Sequence, residues 1–269
     1  MGRRNLEQIL SGLAREGELY ERVPGGRLRC YACGHRCLIL PGQRGVCKVR
    51  WNQDGRLMVP KGYVAALQLD PVEKKPFFHA LPGSRALSFG MLGCDLHCGY
   101  CQNALTSQAL RDPAMGVPPE EVTAEDLVTL ALRRGARILT STYNEPLISS
   151  EWAVEVFKTG RQRGLVPSYV SNGNATPEVL EYLRPWVDLY KVDLKGFDDR
   201  HYRWTCPGLV EGELLRCALL AHALPRLVGA MAGPFWGDRE IAPPWPIVAP
   251  GGNAAADFSR DVVRTAPAA

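Results

Sequence analysis

The sequence predicts an α/β fold: parallel βα units preceded by a small cysteine-rich module. Three observations carry that prediction. From about residue 86 to 194, strand-like and helix-like stretches alternate, the pattern of a parallel sheet with crossover helices. Each strand-like stretch also ends in polar residues. In order they are Cys94, Cys98 and Cys101; Tyr143, Asn144 and Glu145; Ser171 and Asn172; Asp193 and Lys195. In a parallel α/β barrel the carboxyl ends of the strands converge on one face, where catalytic groups assemble. Finally, seven of the nine cysteines fall into two groups, Cys30, Cys33, Cys37 and Cys47, then Cys94, Cys98 and Cys101. With no export signal, such grouping points to metal ligation in a reducing compartment rather than to disulfides.

The elements follow in chain order. The opening stretch, residues 1–23, is amphipathic, with Leu6, Ile9, Leu10 and Leu13 on one helical face. Ala86–Leu92 reads as a strand feeding the second cysteine group. Thr123 with Asp126 three residues on is a capping-box pattern ahead of apolar Leu127, Val128, Ala131 and Leu132, and Gly135 ends that helix. Arg137–Tyr143 is the next strand, followed by a helix through Ser150–Arg161, a turn at Gly164 and the strand Val166–Ser171. After a turn at Asn172–Asn174, Thr176 caps a short helix with Pro177 at its first position. Asp188–Leu194 makes the fourth strand. Beyond Pro207 the rhythm fades. Only Glu213–Leu224 looks helical, Arg226–Met231 carries a weak strand pattern, and the Pro-rich last 35 or so residues are expected to be poorly ordered.

Composition excludes several classes. The formal net charge is +4 and acidic and basic residues are mixed along the chain, so the clustered basic face of a nucleic-acid binder is missing. No run of about 18 apolar residues offers a membrane span. The amino-terminal stretch, interrupted by charges, is no secretory signal, and the Met-Gly opening lacks the Ser/Thr that myristoylation favours at the sixth position. A cytoplasmic protein is the expectation.

The sharpest motif is GCDLHCGYCQN, with the spacing Cys-x3-Cys-x2-Cys. Four thiolates close the coordination of a [4Fe–4S] cluster, whereas three leave one iron open to an outside ligand. A zinc site would want a fourth ligand. His97 is available, but it sits between two of the cysteines, where the short chain makes joint tetrahedral ligation awkward. The upstream group reads Cys-x2-Cys-x3-Cys with nine residues more before Cys47. Four thiolates in a Gly-rich segment suit a small closed site, zinc or a second cluster, and thiolate ligation alone does not tell the two apart. His35, inside that group, reads as a supporting or surface residue. Cys206 and Cys217 are isolated, structural or incidental. The charged stretch Asp70–Pro76 reads by default as a solvated loop.

The run DPVEKKPFFHALPGSRALSFGMLGCDLHCGYCQN, with TYNEP, SNG and VDLKGFD after it, resembles the radical S-adenosylmethionine (SAM) enzymes of the AmmeMemoRadiSam system, relatives of the pyruvate formate-lyase activating enzymes. The likeness extends from about Cys30 to Cys206. It implies a partial (β/α)6 TIM-like barrel over residues 71–206, an N-terminal metal module over 1–70 and a divergent tail over 207–269. It further implies that Cys94, Cys98 and Cys101 hold a [4Fe–4S] cluster whose open iron takes the amino and carboxylate groups of SAM. Reductive cleavage of SAM then supplies a 5′-deoxyadenosyl radical that abstracts hydrogen, the cofactors carrying the hard chemistry. A protein glycyl residue is the activase-like substrate, and a small molecule or another protein side chain is equally open. Flavodoxin or ferredoxin is the implied electron donor.

The same likeness sets Tyr100 near the adenine. It aligns Tyr143, Asn144 and Glu145 with the segment that holds the SAM amino group, where a carboxylate beside an ammonium makes a charge-assisted hydrogen bond. It gives Ser171 and Asn172 the ribose or carboxylate, and Asp193 and Lys195 SAM or a nearby cation. The upstream cysteines match the family as well, and Asp70–Pro76 would lie near the active-site mouth or a docking partner. Because the match stops near Cys206, the last two barrel strands are expected to be missing through truncation or a shifted reading frame. A catalytically inactive iron–sulfur or zinc protein descended from the family is the alternative.

Overall fold

The computed structural model describes residues 5–112, 114–193 and 195. The expectations for the tail, including Glu213–Leu224, Arg226–Met231, Cys206 and Cys217, lie outside the described residues.

The chain opens with helix α1 (Leu6–Gly12). Its cap is reciprocal: Gln8 N donates to the Asn5 side chain at 2.8 Å and Asn5 N donates back to Gln8 Oε1 at 3.0 Å. Leu10 is buried while Leu6 and Leu13 are half-buried against the core. The helix then gives way to short antiparallel strands that the sequence reading did not anticipate. They are β1 (Ala14–Glu16), β2 (Tyr20–Val23), β3 (Arg27–Cys30), β4 (Leu38–Ile39), β5 (Trp51–Gln53) and β6 (Arg56–Pro60). They form two sheets, ordered β1-β6-β5 and β2-β3-β4. Strands of two to five residues rich in Arg and Glu carry no legible alternation. One signal was there to be read: Asp54 and Gly55, both at positive φ, make the two-residue turn between β5 and β6.

After β7 (Tyr63–Val64), strands β8 (Ala66–Pro71) and β9 (Arg85–Gly90) pair antiparallel. The chain continues through α2 (Ala104–Ser107), β10 (Glu120–Glu121, which pairs with β7), α3 (Ala124–Arg133), β11 (Ala136–Ser141), α4 (Ser150–Gln162), β12 (Val166–Ser171), α5 (Pro177–Leu183) and β13 (Leu189–Val192). The main sheet runs β8-β9-β11-β12-β13, and β9, β11, β12 and β13 are mutually parallel. Spatial order follows chain order, as βα units wound in one direction require. The capping box at Thr123 and Asp126 is present, and Thr176 accepts from Val179 N at the head of α5.

One sheet face buries Leu87, Phe89, Leu139 and Tyr169 against Leu127, Val128, Val156 and Phe157 of the helices. Gly160 lets α4 come close, since a Cβ there would sit 2.3 Å from Leu139 Cδ1. The opposite face buries Ala86, Ile138 and Leu189 under Val72, Phe77 and Ala80. The segment after Asp70 is therefore a plug beneath the sheet rather than a solvated loop. Its apolar residues alternate with charges, and Lys75 is buried beside Asp70, Nζ to Oδ2 3.0 Å. A fully buried ion pair fastens the N-terminal strands to α4: Arg50 donates to both oxygens of Glu151 at 2.8 Å. Among the described residues no helix is long and apolar enough to cross a membrane.

Candidate functional site

The polar groups singled out in the sequence lie at the carboxyl ends of the four parallel strands. Cys94, Cys98 and Cys101 sit on the loop between β9 and α2, and Tyr143–Glu145 follow β11. Ser171 ends β12 and Asn172 follows it, while Asp193 and Lys195 lie just past β13.

Three of these residues are drawn into one buried network. Ser171 Oγ donates to Glu145 Oε1 at 2.7 Å, Asn172 N to Glu145 Oε2 at 2.7 Å, and Leu147 N to Oε1 at 3.1 Å. Burial, and next the charge of Asp95, push the Glu145 carboxyl up to about 8. Asp95 is the center of the arrangement and was missed in the sequence. It is fully buried, and its two oxygens accept from Asn172 Nδ2 and Asn174 Nδ2, both at 2.8 Å. Its one sequence signal was an acidic residue among the cysteines. The Asn172 side chain is thus used at both ends, because its Oδ1 also accepts from Asn174 N.

The other predicted residues point elsewhere. The Tyr143 hydroxyl accepts from Lys75 Nζ at 3.2 Å, toward the plug. Burial pushes its phenol up to about 12. Tyr143 is also one of the few non-glycine residues at positive φ, 74°, an outlier that marks a constrained bend between β11 and Glu145. Asn144 Oδ1 accepts from Met91 N at 3.0 Å, tying the β11 end to the β9 end. Tyr100 is half exposed and donates to the Lys195 carbonyl at 2.9 Å, so the cysteine loop reaches the end of β13. There Asp193 is flanked by Lys191 and Lys195.

All seven described cysteines are free thiols. In the loop after β9, Leu96 N donates to Cys94 Sγ at 3.4 Å, and Cys101 Sγ lies 3.2 Å from Ser107 Oγ. Burial, then Asp95 and Glu145, push the Cys94 thiol well up. In the upstream group, burial raises Cys33 and Cys47, the latter to about 12, and the charges of neighboring cysteines add to both. Val46 N also donates to Cys37 Sγ at 3.5 Å. Among the described residues no group of three or more His, Cys, Asp or Glu side chains stands in a metal-binding arrangement. The fit to a metal therefore rests on the donor sets. Three thiols on one half-open loop suit an iron–sulfur cluster with one open iron. Cys30, Cys33, Cys37 and Cys47 supply four thiols within one short segment, the donor set of a closed thiolate site.

Sequence reasoning also missed Arg111. Nη1 donates to Leu96 O at 2.6 Å and to Gln108 Oε1 at 3.0 Å. Nη2 donates to Cys94 O at 2.7 Å and to Val46 O at 2.8 Å. Ten residues past the last cysteine of the motif, it carried no local signal.

The chain is 34% identical over 206 residues to an uncharacterized protein of Methanocaldococcus jannaschii, MJ0808, and spans 60% of that protein's length and 76% of its own. Among solved structures it is similar to QueE from Escherichia coli, at 16% identity and a TM-score of 0.37, over 66% of this chain and 80% of that one. It is also similar to TYW1 with a lysine-pyruvate adduct bound, at 16% identity and a TM-score of 0.38, over 55% and 54%. The sequence model of the radical SAM superfamily matches residues 90–242, from the end of β9 through the cysteine loop and on past Cys206. With three free thiols on the loop that opens this match, and polar strand ends around them, the chain belongs to the radical SAM superfamily.

Proposed function

We propose that this protein is a radical SAM enzyme whose site is the carboxyl-end face of β9, β11, β12 and β13, part of a (β/α)6 barrel. The observation that carries the reading is Asp95. Lying next to Cys94, it joins the cysteine loop to Asn172 and Asn174, and Asn172 in turn donates to Glu145. One buried hydrogen-bonded unit thus connects the proposed cluster ligands to the proposed SAM ligand.

In this reading Cys94, Cys98 and Cys101 hold a [4Fe–4S] cluster, which with SAM supplies a 5′-deoxyadenosyl radical when both are bound. Glu145 receives the SAM ammonium on Oε2, which among the described residues accepts only from Asn172 N, while Oε1 is taken by Ser171 Oγ and Leu147 N. Ser171 and Asn172 act by orienting Glu145 and Asp95. Tyr100 borders the cofactor at the solvent edge, and Asp193 with Lys195 closes the side next to β13. Cys30, Cys33, Cys37 and Cys47 form a second site for zinc or a cluster. The resemblance to activating enzymes supports a protein glycyl residue as substrate, reached with electrons from a flavodoxin- or ferredoxin-type donor.

The test is anaerobic reconstitution with iron and sulfide, dithionite reduction and an assay of 5′-deoxyadenosine from SAM. Product from the wild type and none from Cys98→Ala is the expected result. A loaded cluster that leaves SAM intact would reduce the protein to a metal-binding relative of the family.

A further inference from the structure

The two cysteine groups, far apart in sequence, are mechanically joined. The Arg111 guanidinium spans them, with one nitrogen shared between Val46 O, the carbonyl before Cys47, and Cys94 O. Nη1 holds Leu96 O and Gln108 Oε1. Gln108 passes the contact on, since its Nε2 donates to Leu96 O at 3.3 Å and to Ser107 Oγ at 3.0 Å, and that hydroxyl meets Cys101 Sγ. Gly93, at φ 88°, presses against the upstream group so closely that a Cβ would lie 2.8 Å from Cys47 O. A second bridge runs alongside: His35 Nε2 lies 3.1 Å from Asp95 O, and Gly34 N donates to Asn174 O at 2.8 Å.

We propose that metal at Cys30, Cys33, Cys37 and Cys47 sets the geometry of the Cys94–Cys101 loop, with Arg111 as the positioning residue between them. This rests on the reading that the upstream cysteines hold a metal. The physical reason is short. Ligation fixes Cys47 and with it the Val46 carbonyl, which is one of the four acceptors that hold the Arg111 fork. A guanidinium presents its donors in a rigid plane, so fixing one acceptor fixes where the others must stand. Those others are the carbonyls of Cys94 and Leu96, the backbone on either side of Asp95. Order at one site then favors order at the other, and the coupling is reciprocal.

The test isolates the loop from its own metal. In a full-length chain carrying Cys94→Ala, Cys98→Ala and Cys101→Ala, zinc is added and its stoichiometry is measured. Amide hydrogen exchange is then followed over residues 91–111 with and without zinc. One zinc bound and exchange of the loop slowed at least about fivefold, the lower end of typical coupling, is the expected result. Adding Arg111→Gln should leave zinc bound and abolish the slowing, whereas Arg111→Lys, which keeps the charge without the fork, should restore little of it. Zinc bound with unchanged exchange, or slowing that survives Arg111→Gln, overturns the coupling while leaving the metal reading intact. No zinc bound overturns both. Should the triple variant fail to fold, the wild-type chain before iron and sulfide are supplied gives the same comparison, with Arg111→Gln as its control and the same outcomes deciding it.

Discussion

A carboxylate as buried as Glu145 is held for its charge or for its shape, and substitution separates the two. Its oxygens accept from Ser171 Oγ, Leu147 N and Asn172 N, so a neutral amide of equal size keeps one acceptor and turns a donor toward the others. Glu145→Gln should weaken SAM binding roughly ten- to hundredfold, the worth of a hydrogen bond to a charged group. Isothermal titration of the reconstituted protein measures it, with far-UV circular dichroism confirming the fold. Unchanged affinity would make Glu145 only the cap of the short helical turn that follows it. The residue scale is also where sequence reading was most limited. The cysteine spacing was legible because three thiols in eight residues are locally dense. Asp95 and Arg111 were not, because Asp95 is held by Asn172 and Asn174 and Arg111 reaches back to Val46, all remote in sequence, and no local period marks them.

At the scale of elements, α4 carries the strongest tie between the N-terminal strands and the main sheet. Burial pushes Glu151 up, yet the charge and hydrogen bonds of Arg50 outweigh it and leave the carboxyl below its ordinary value of 4.5. A depressed carboxyl contributes stability that is present above its unfolded pKa and lost as pH falls through its folded one. Urea unfolding carried downward from about pH 5 should show that loss, and Glu151→Gln should remove this part of the pH dependence. The same variant leaves Arg50 charged and buried without its partner, at a cost of about 3–5 kcal/mol at pH 7. Gly93→Ala should cost at least about 1 kcal/mol, because the position has positive φ and a methyl group meets Cys47 O. Chemical denaturation checks both. The capped helices and the strand Val166–Ser171 were readable because caps and turn residues such as Gly164 are local signals. The N-terminal strands were not, since their stability comes from pairing across the chain, as between Arg15 and Val59.

For the whole molecule, the order β9-β11-β12-β13 brings four strand ends to one face, and this was legible from the alternation of elements alone. The joining of the cysteine loops was not. It depends on tertiary packing around Gly93 and Arg111, which meet backbone of both groups. The central claim is that this face holds a cluster with an iron open to SAM. Electron paramagnetic resonance of the dithionite-reduced, reconstituted protein, before and after SAM, tests it most directly. The account predicts a [4Fe–4S] signal that changes shape on adding SAM and is lost in a chain carrying Cys94→Ala, Cys98→Ala and Cys101→Ala. A signal indifferent to SAM, or one that survives those three substitutions unchanged, would contradict it.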